Sequence, residues 1–72
     1  MTVDEARNVK VGDNLVYIAD DFNGNEIELY TCVTNIWYDK QDNPSFFTVD
    51  IVDDKGTKTV NADAPIRCFK FN

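Results

Sequence analysis

Histidine is absent from this chain, and Ser45 is its only serine. Catalytic dyads and triads pair a nucleophile with a base such as histidine, so the composition argues against an enzyme. A structural zinc site is disfavoured as well, because two cysteines without histidine cannot supply four ligands. The sequence therefore predicts no catalytic residues, no cofactor and no metal.

Positive charge is also scarce, since 7 Lys and Arg face 13 Asp and Glu and give a net charge of -6. Nucleic-acid-binding surfaces cluster their basic residues, whereas the lysines here are scattered along the chain. The acidic balance equally disfavours anionic membrane surfaces. We therefore expect neither direct nucleic-acid binding nor membrane binding.

Long apolar runs are missing too, and none approaches the roughly 18 to 20 residues that cross a bilayer. The first residues, MTVDEARN, lack the basic and apolar regions of a signal peptide, which predicts a cytoplasmic protein. In that reducing compartment Cys32 and Cys68 are expected to be free, partly buried thiols, with a disulfide between them as the alternative. The length of 72 residues, 43% of them hydrophobic, predicts one small folded domain over residues 1–72.

The residues that are plentiful favour strands. Val, Ile and Thr together outnumber Leu, Ala and Glu by about two to one, which predicts an all-β domain. Thr2 and Glu5 have the spacing of a capping box, so a short helical turn is expected at the N-terminus. A tight turn at Gly12 and Asp13 then leads into a first strand over residues 15–19.

A polar loop over residues 20–26, centred on Asn23 and Gly24, separates the first strand from a long second strand over residues 26–38. A solvated loop is favoured there over a calcium site. In the second strand Ile27 and Val33 have one parity and Ile36 the other. One flat strand cannot bury both sets, so a bend or bulge is expected near Thr34 and Asn35.

The remaining pattern predicts a turn over residues 39–44, a strand over 46–52, a tight turn over 53–56 and a return strand over 57–61. A 3₁₀ turn over 62–65 and a last strand over 66–71 complete the chain. Residues expected to fill the interior are Phe47, Val49, Ile51, Val60, Ile66 and the row that begins at Ile27.

This succession of strands and turns, from Val9 to Phe71, resembles the SH3-like small barrels, which include the SH3, Tudor and KOW-type domains. The segment VKVGDNLV, residues 9–16, looks like the opening of such barrels. The resemblance implies an SH3-like barrel of about five antiparallel strands with a short N-terminal helical turn and one 3₁₀ turn. It does not imply proline-peptide binding, because the aromatic motif and tryptophan position of that function are not matched.

Aromatic residues exceed what a small barrel can bury, so some rings must be exposed. An exposed aromatic patch rimmed by carboxylates is typical of an interaction surface. The candidate partner-binding residues are Trp37, Tyr38, Phe46, Asp39, Asp42, Phe22, Asp20 and Asp21. A second candidate surface is an acidic face formed by Asp50, Asp53, Asp54 and Asp63.

These observations favour a non-enzymatic protein-interaction module that binds a larger protein, in the style of small acidic bacteriophage proteins that act on host enzymes. One alternative is an acidic mimic of nucleic acid that blocks a DNA- or RNA-binding site on a basic partner. Another is an aromatic cage for a small ligand or a modified residue. A homodimer is a further way to cover the aromatic patch.

Overall fold

The computed structural model of the chain describes the backbone of all 72 residues and every side chain except that of Thr59. Its elements are a single-turn helix α1 (Val3–Ala6), the strands β1 (Asn14–Asp20), β2 (Glu26–Tyr38), β3 (Pro44–Val52) and β4 (Lys58–Pro65), a 3₁₀ turn (Ile66–Cys68), and β5 (Phe69–Phe71). The strands form one antiparallel sheet in the order β4-β3-β2-β1-β5. The sheet leaves β4 and β5 as its two edges and does not close, so the predicted all-β fold is confirmed as a loose barrel.

The N-terminal helix forms as its capping residues predict. The backbone N–H of Glu5 donates to the Thr2 hydroxyl at 3.2 Å, and the backbone N–H of Thr2 donates to the Glu5 carboxylate at 2.9 Å. These reciprocal bonds satisfy amides that the first helical turn leaves free. The helix thereby places Ala6, which is buried, on the core.

The long strand β2 changes its inward-facing parity through a β-bulge. Val33 pairs with Val49 and Asn35 pairs with Thr48, so Thr34 is an extra residue opposite β3. Its hydroxyl donates to the backbone oxygen of Thr48 at 3.1 Å. The bulge lets both Val33 and Ile36 face the core, which confirms the predicted bend.

The core lies on one side of the sheet, called here the inner face. Its centre is Phe47, whose ring packs edge-on against Phe69 with 5.3 Å between ring centroids. Buried side chains from β1 to β4, from both helical turns and from the segment after α1 surround this pair: Ala6, Val9, Leu15, Val33, Val49, Ala64 and Ile66. Thr31 is the buried polar residue of this face, and its hydroxyl donates to the backbone oxygen of Leu15 at 2.8 Å.

Some boundaries and interior residues differ from the sequence prediction. The return strand β4 extends to Pro65, and the 3₁₀ turn lies at Ile66–Cys68 instead of residues 62–65. This happens because Ala62, Asp63 and Ala64 pair with β3 despite their low strand propensity. Pro44, expected to end a turn, is the first residue of β3, a position where proline is tolerated.

Two residues predicted to lie inside are on the surface. Val60 is 56% exposed because it lies on the edge strand β4, beyond the reach of the core. Ile27 is 38% exposed because the far end of the β1–β2 hairpin extends past the core. Ile51 is partly buried, whereas Phe47 and Val49 are fully buried as predicted.

Cys32 and Cys68 are free, partly buried thiols.

Candidate functional site

The candidate site lies on the outer face, the side of the sheet away from the core. Because neighbouring side chains of a strand point to opposite faces, burial of Phe47 places Phe46 outside. Phe46 pairs across the strands with Trp37, and both rings are about half exposed, at 45% and 53%. Two large aromatic side chains therefore lie next to each other in contact with solvent.

A second bulge lies next to this aromatic pair. Trp37 pairs with Phe46 and Tyr38 pairs with Pro44, so Ser45 is an extra residue in β3. The Ser45 hydroxyl donates to the backbone oxygen of Trp37 at 3.2 Å. This hydrogen bond links β2 and β3 across the bulge, beside the exposed rings.

Asp63 of β4 completes the site. Trp37, Phe46 and Asp63 line a shallow cleft of about 310 Å³, called here the tryptophan cleft. The cleft is open to solvent and its volume is at the lower limit of the about 300 to 1,000 Å³ typical of pockets for drug-sized ligands, so it suits a single side chain better than a large ligand. Its lining residues come from three adjacent strands.

Thr48 connects the two sides of the tryptophan cleft. The indole N–H of Trp37 donates to the Thr48 hydroxyl at 2.7 Å, and that hydroxyl donates to Oδ1 of Asp63 at 2.5 Å. A hydroxyl has one proton to give, so accepting from the indole directs that proton toward Asp63. Both the ring and the carboxylate are thus held in place although both are exposed.

Two outer-face carboxylates differ in their electrostatic partners. Asp50 lies 3.6 Å from the Lys58 ammonium and accepts a hydrogen bond from the Asn61 side chain at 3.1 Å. Among the described side chains, Asp63 has no ion pair within 4.0 Å. The charge of Asp63 is therefore available to a binding partner.

The sequence-predicted aromatic site is only partly brought together. Trp37 and Phe46 share the cleft, whereas Tyr38, 59% exposed, pairs with Pro44 one step nearer the β2–β3 loop. Asp39 is occupied within that loop, where Oδ1 accepts backbone N–H groups from Gln41 and Asn43 at 2.8 and 2.9 Å. The structure therefore provides Asp63, and not Asp39, as the carboxylate beside the tryptophan.

The hydrogen bonds to Asp39 also affect its acidity. Donation from the backbone of Asn43, followed by that of Gln41, lowers the pKa of Asp39 below its ordinary value. Arg7 adds a smaller electrostatic effect in the same direction and donates to the Asn43 side chain. Asp42 follows in the same loop with a φ of 61°, which is the left-handed region that favours glycine.

Phe22, Asp20 and Asp21 lie at the opposite end of β2 from Trp37, so they do not belong to the same site. Phe22 is fully exposed in the β1–β2 loop. In that loop Oδ1 of Asp21 accepts backbone N–H groups from Asn23 and Asn25, at 2.8 and 2.9 Å, which lowers the pKa of Asp21. Asp20 is the last residue of β1 and is exposed.

The three hairpin loops share one hydrogen-bonding arrangement. In each, the first residue is an aspartate whose Oδ1 accepts backbone N–H groups from the third and fifth residues. The backbone oxygen of that aspartate accepts from the N–H of the fourth residue, and its own N–H donates to the backbone oxygen of the fifth. The fourth residue has a positive φ in every case: Gly24, Asp42 and Gly56.

The alternative acidic face is divided among different environments. In the β3–β4 loop Oδ1 of Asp53 accepts the backbone N–H groups of Lys55 and Thr57. Asp54 is exposed in the same loop. Asp50 is paired with Lys58, and Asp63 belongs to the tryptophan cleft. These four carboxylates line the β3–β4 hairpin without converging on one point.

Sequence reasoning missed the grouping of Trp37, Thr48 and Asp63. Asp63 fell in a segment interpreted as a turn, and its neighbours across the sheet depend on the register of β4. The alternation of Phe46, Thr48 and Asp50 in β3 was the available signal for a polar and aromatic outer face.

No family model, curated protein or solved structure significantly matches this chain. Within the described part of the chain, no helix has the length and apolar character needed to span a membrane. The described His, Cys, Asp and Glu side chains also form no group of three that could hold a metal ion.

Proposed function

We propose that this domain is a non-enzymatic protein-interaction module that binds a larger protein through the tryptophan cleft. The observation that carries the proposal is the adjacent, half-exposed pair of Trp37 and Phe46 beside Asp63. Tryptophan and other large aromatic residues are enriched among the residues that dominate binding energy. The Thr48 hydrogen bonds support the proposal because a side chain that is already fixed loses less entropy on binding.

The resemblance to SH3-like small barrels belongs to the same proposal. It is supported by the antiparallel order β4-β3-β2-β1-β5 and by the 3₁₀ turn before β5. The small size and acidic charge resemble those of bacteriophage accessory proteins, so the proposal extends to a phage-type inhibitor of a host protein that acts in the cytoplasm. A net charge of -6 would also help attract a partner with a basic surface.

Affinity capture from a bacterial lysate, followed by purification of the captured protein and a binding titration, tests the proposed function. Replacing Trp37 by Ala should weaken binding about 30-fold or more, because an aromatic anchor is worth about 2 kcal/mol. The matched control is Phe22→Ala, which removes a fully exposed ring at the other end of β2. Circular dichroism should show that both variants are folded.

Other outcomes identify other surfaces. Loss of binding with Phe22→Ala but not with Trp37→Ala would contradict the cleft and assign binding to the β1–β2 loop. Loss only when Asp53 and Asp54 are changed to Asn would support the acidic-mimic alternative. Concentration-dependent self-association that Trp37→Ala abolishes would instead show that the cleft is a homodimer interface.

A further inference from the structure

The tryptophan cleft contains a negative charge that the described part of the molecule does not neutralise. Asp63 lines the cleft beside the two aromatic side chains and lacks the ion pair that Asp50 makes with Lys58. We propose that the cleft binds the guanidinium group of an arginine on the surface of a partner protein. This inference rests on the proposed function and specifies the chemistry of its partner.

The aromatic faces and the carboxylate favour the same kind of ligand group. The π-face of tryptophan attracts a cation more strongly than any other aromatic side chain does, and Phe46 adds a second ring. A carboxylate at the same place attracts the cation by charge and accepts its hydrogen bonds. A neutral apolar side chain would use the rings but would shield Asp63 from water without donating a hydrogen bond to its charged carboxylate.

Arginine fits this combination better than lysine. Its guanidinium is planar, stacks on aromatic faces and presents several N–H donors in one plane. Thr48 already donates to Oδ1 of Asp63, and among the described groups none donates to Oδ2. One edge of a guanidinium can therefore donate to Oδ2 while its face lies against Trp37.

The cleft is also arranged before the ligand arrives. The indole N–H is committed to Thr48, so the orientation of the Trp37 ring is restricted in the free protein. The same hydroxyl orients the Asp63 carboxylate, so both recognition elements are coupled through one side chain. Such an arrangement reduces the ordering cost of binding a single cationic side chain.

Trp37 is the only tryptophan, so its fluorescence reports directly on the cleft. The probes are three capped peptides of the sequence Gly-Gly-X-Gly-Gly, with X as arginine, citrulline or trimethyllysine. We expect a saturable change in Trp37 emission with the arginine peptide. The citrulline peptide, which has nearly the same shape without the charge, should bind about tenfold more weakly or worse.

Two charge-matched variants locate the interaction. Asp63→Asn should weaken binding of the arginine peptide about threefold to tenfold, because it removes the charged acceptor. Asp50→Asn removes the same charge from the same face but leaves the cleft intact, so its affinity should stay within about twofold of the parent. Raising the salt concentration should weaken binding of the arginine peptide to the parent protein, and should weaken its binding to Asp63→Asn less.

Several results would overturn the inference. Equal binding of arginine and citrulline peptides would show that the cleft does not recognise a cation. Tighter binding of trimethyllysine would assign the cleft to a methylated lysine, and no saturation up to millimolar peptide would exclude a preformed arginine site. If Trp37→Ala abolished binding of the captured partner while Asp63→Asn did not, the proposed function would stand and the arginine inference would fail.

Discussion

Phe46 and Phe47 are consecutive residues of the same type in β3, yet they lie in opposite environments. Phe47 is 0% exposed at the centre of the core, whereas Phe46 is 45% exposed beside Trp37 and Asp63. The inner face consists mainly of buried apolar side chains, with Thr31 as its buried polar residue. The outer face places aromatic, hydroxyl and carboxylate groups in contact with solvent, so the core and the proposed binding cleft lie on different sides of one strand.

The phenylalanine pair provides the largest expected difference between the faces. Phe47→Ala should lower the free energy of unfolding by about 3 to 5 kcal/mol, because it leaves a cavity in contact with Phe69. Phe46→Ala should cost about 1 kcal/mol or less, since its ring is already partly hydrated. Urea unfolding followed by circular dichroism measures both changes. Similar losses for the two variants would show that the faces are not energetically separate.

Two threonines provide a smaller contrast of the same kind. Thr31 is 1% exposed on the inner face and donates to Leu15, whereas Thr48 connects Trp37 and Asp63 on the outer face. Thr31→Val should cost about 1 to 2 kcal/mol, because a buried hydrogen bond is lost. Thr48→Val should change stability by less than about 1 kcal/mol, since water can satisfy the released groups.

Fluorescence anisotropy distinguishes the role of Thr48 from a purely structural one. Loss of the indole hydrogen bond should increase the mobility of Trp37 in Thr48→Val and leave it unchanged in Thr31→Val. Unchanged Trp37 mobility in Thr48→Val would contradict the view that this hydroxyl fixes the ring. A larger loss of stability in Thr48→Val than in Thr31→Val would reverse the comparison of the two faces.

The smallest expected effect is on how the stability of the fold changes at acidic pH. The buried cluster is apolar, so pH dependence arises outside it, where backbone N–H groups lower the pKa of Asp39. Its folded pKa is below the unfolded value, so its stabilising contribution is complete above about pH 4 and is lost as the pH falls through the folded pKa. Asp39→Asn should therefore lose less stability than the parent between pH 5 and pH 2.

The control for this change is Asp54→Asn, which removes an equal charge from a hairpin loop whose capping residue is Asp53. Between pH 5 and pH 2 the melting temperature should fall less for Asp39→Asn than for Asp54→Asn. Identical pH profiles for the two variants would show that general charge removal, and not the capping bonds, controls the acid response.

The two faces also show what could be predicted from the sequence. The alternation of Phe47 and Val49 revealed the inner row, and the parity conflict within β2 revealed the bulge at Thr34, because both are local patterns of period two. The cleft could not be found in this way. Asp63 is on β4 and Trp37 is on β2, with β3 between them. Whether they line the same cleft therefore depends on the pairing register of all three strands.

Errors in the prediction have the same physical origin. Residues 62–65 have the composition of an irregular turn, but pairing with β3 outweighs their intrinsic preference. Val60 and Ile27 have the hydrophobicity and parity of interior residues, but they lie where the sheet extends beyond its core. Local chemistry thus identified the strands, while the extent of the core decided which apolar residues it could cover.

The three hairpin loops share one backbone framework. In each, the first residue organises the main chain through its carboxylate, and the side chains of the second and third residues are exposed and take no part in those main-chain bonds. The second position holds Phe22, Lys40 or Asp54, three unrelated chemistries on one framework. Loop closure therefore does not dictate the residue at the second position, because its side chain makes none of the bonds that hold the loop.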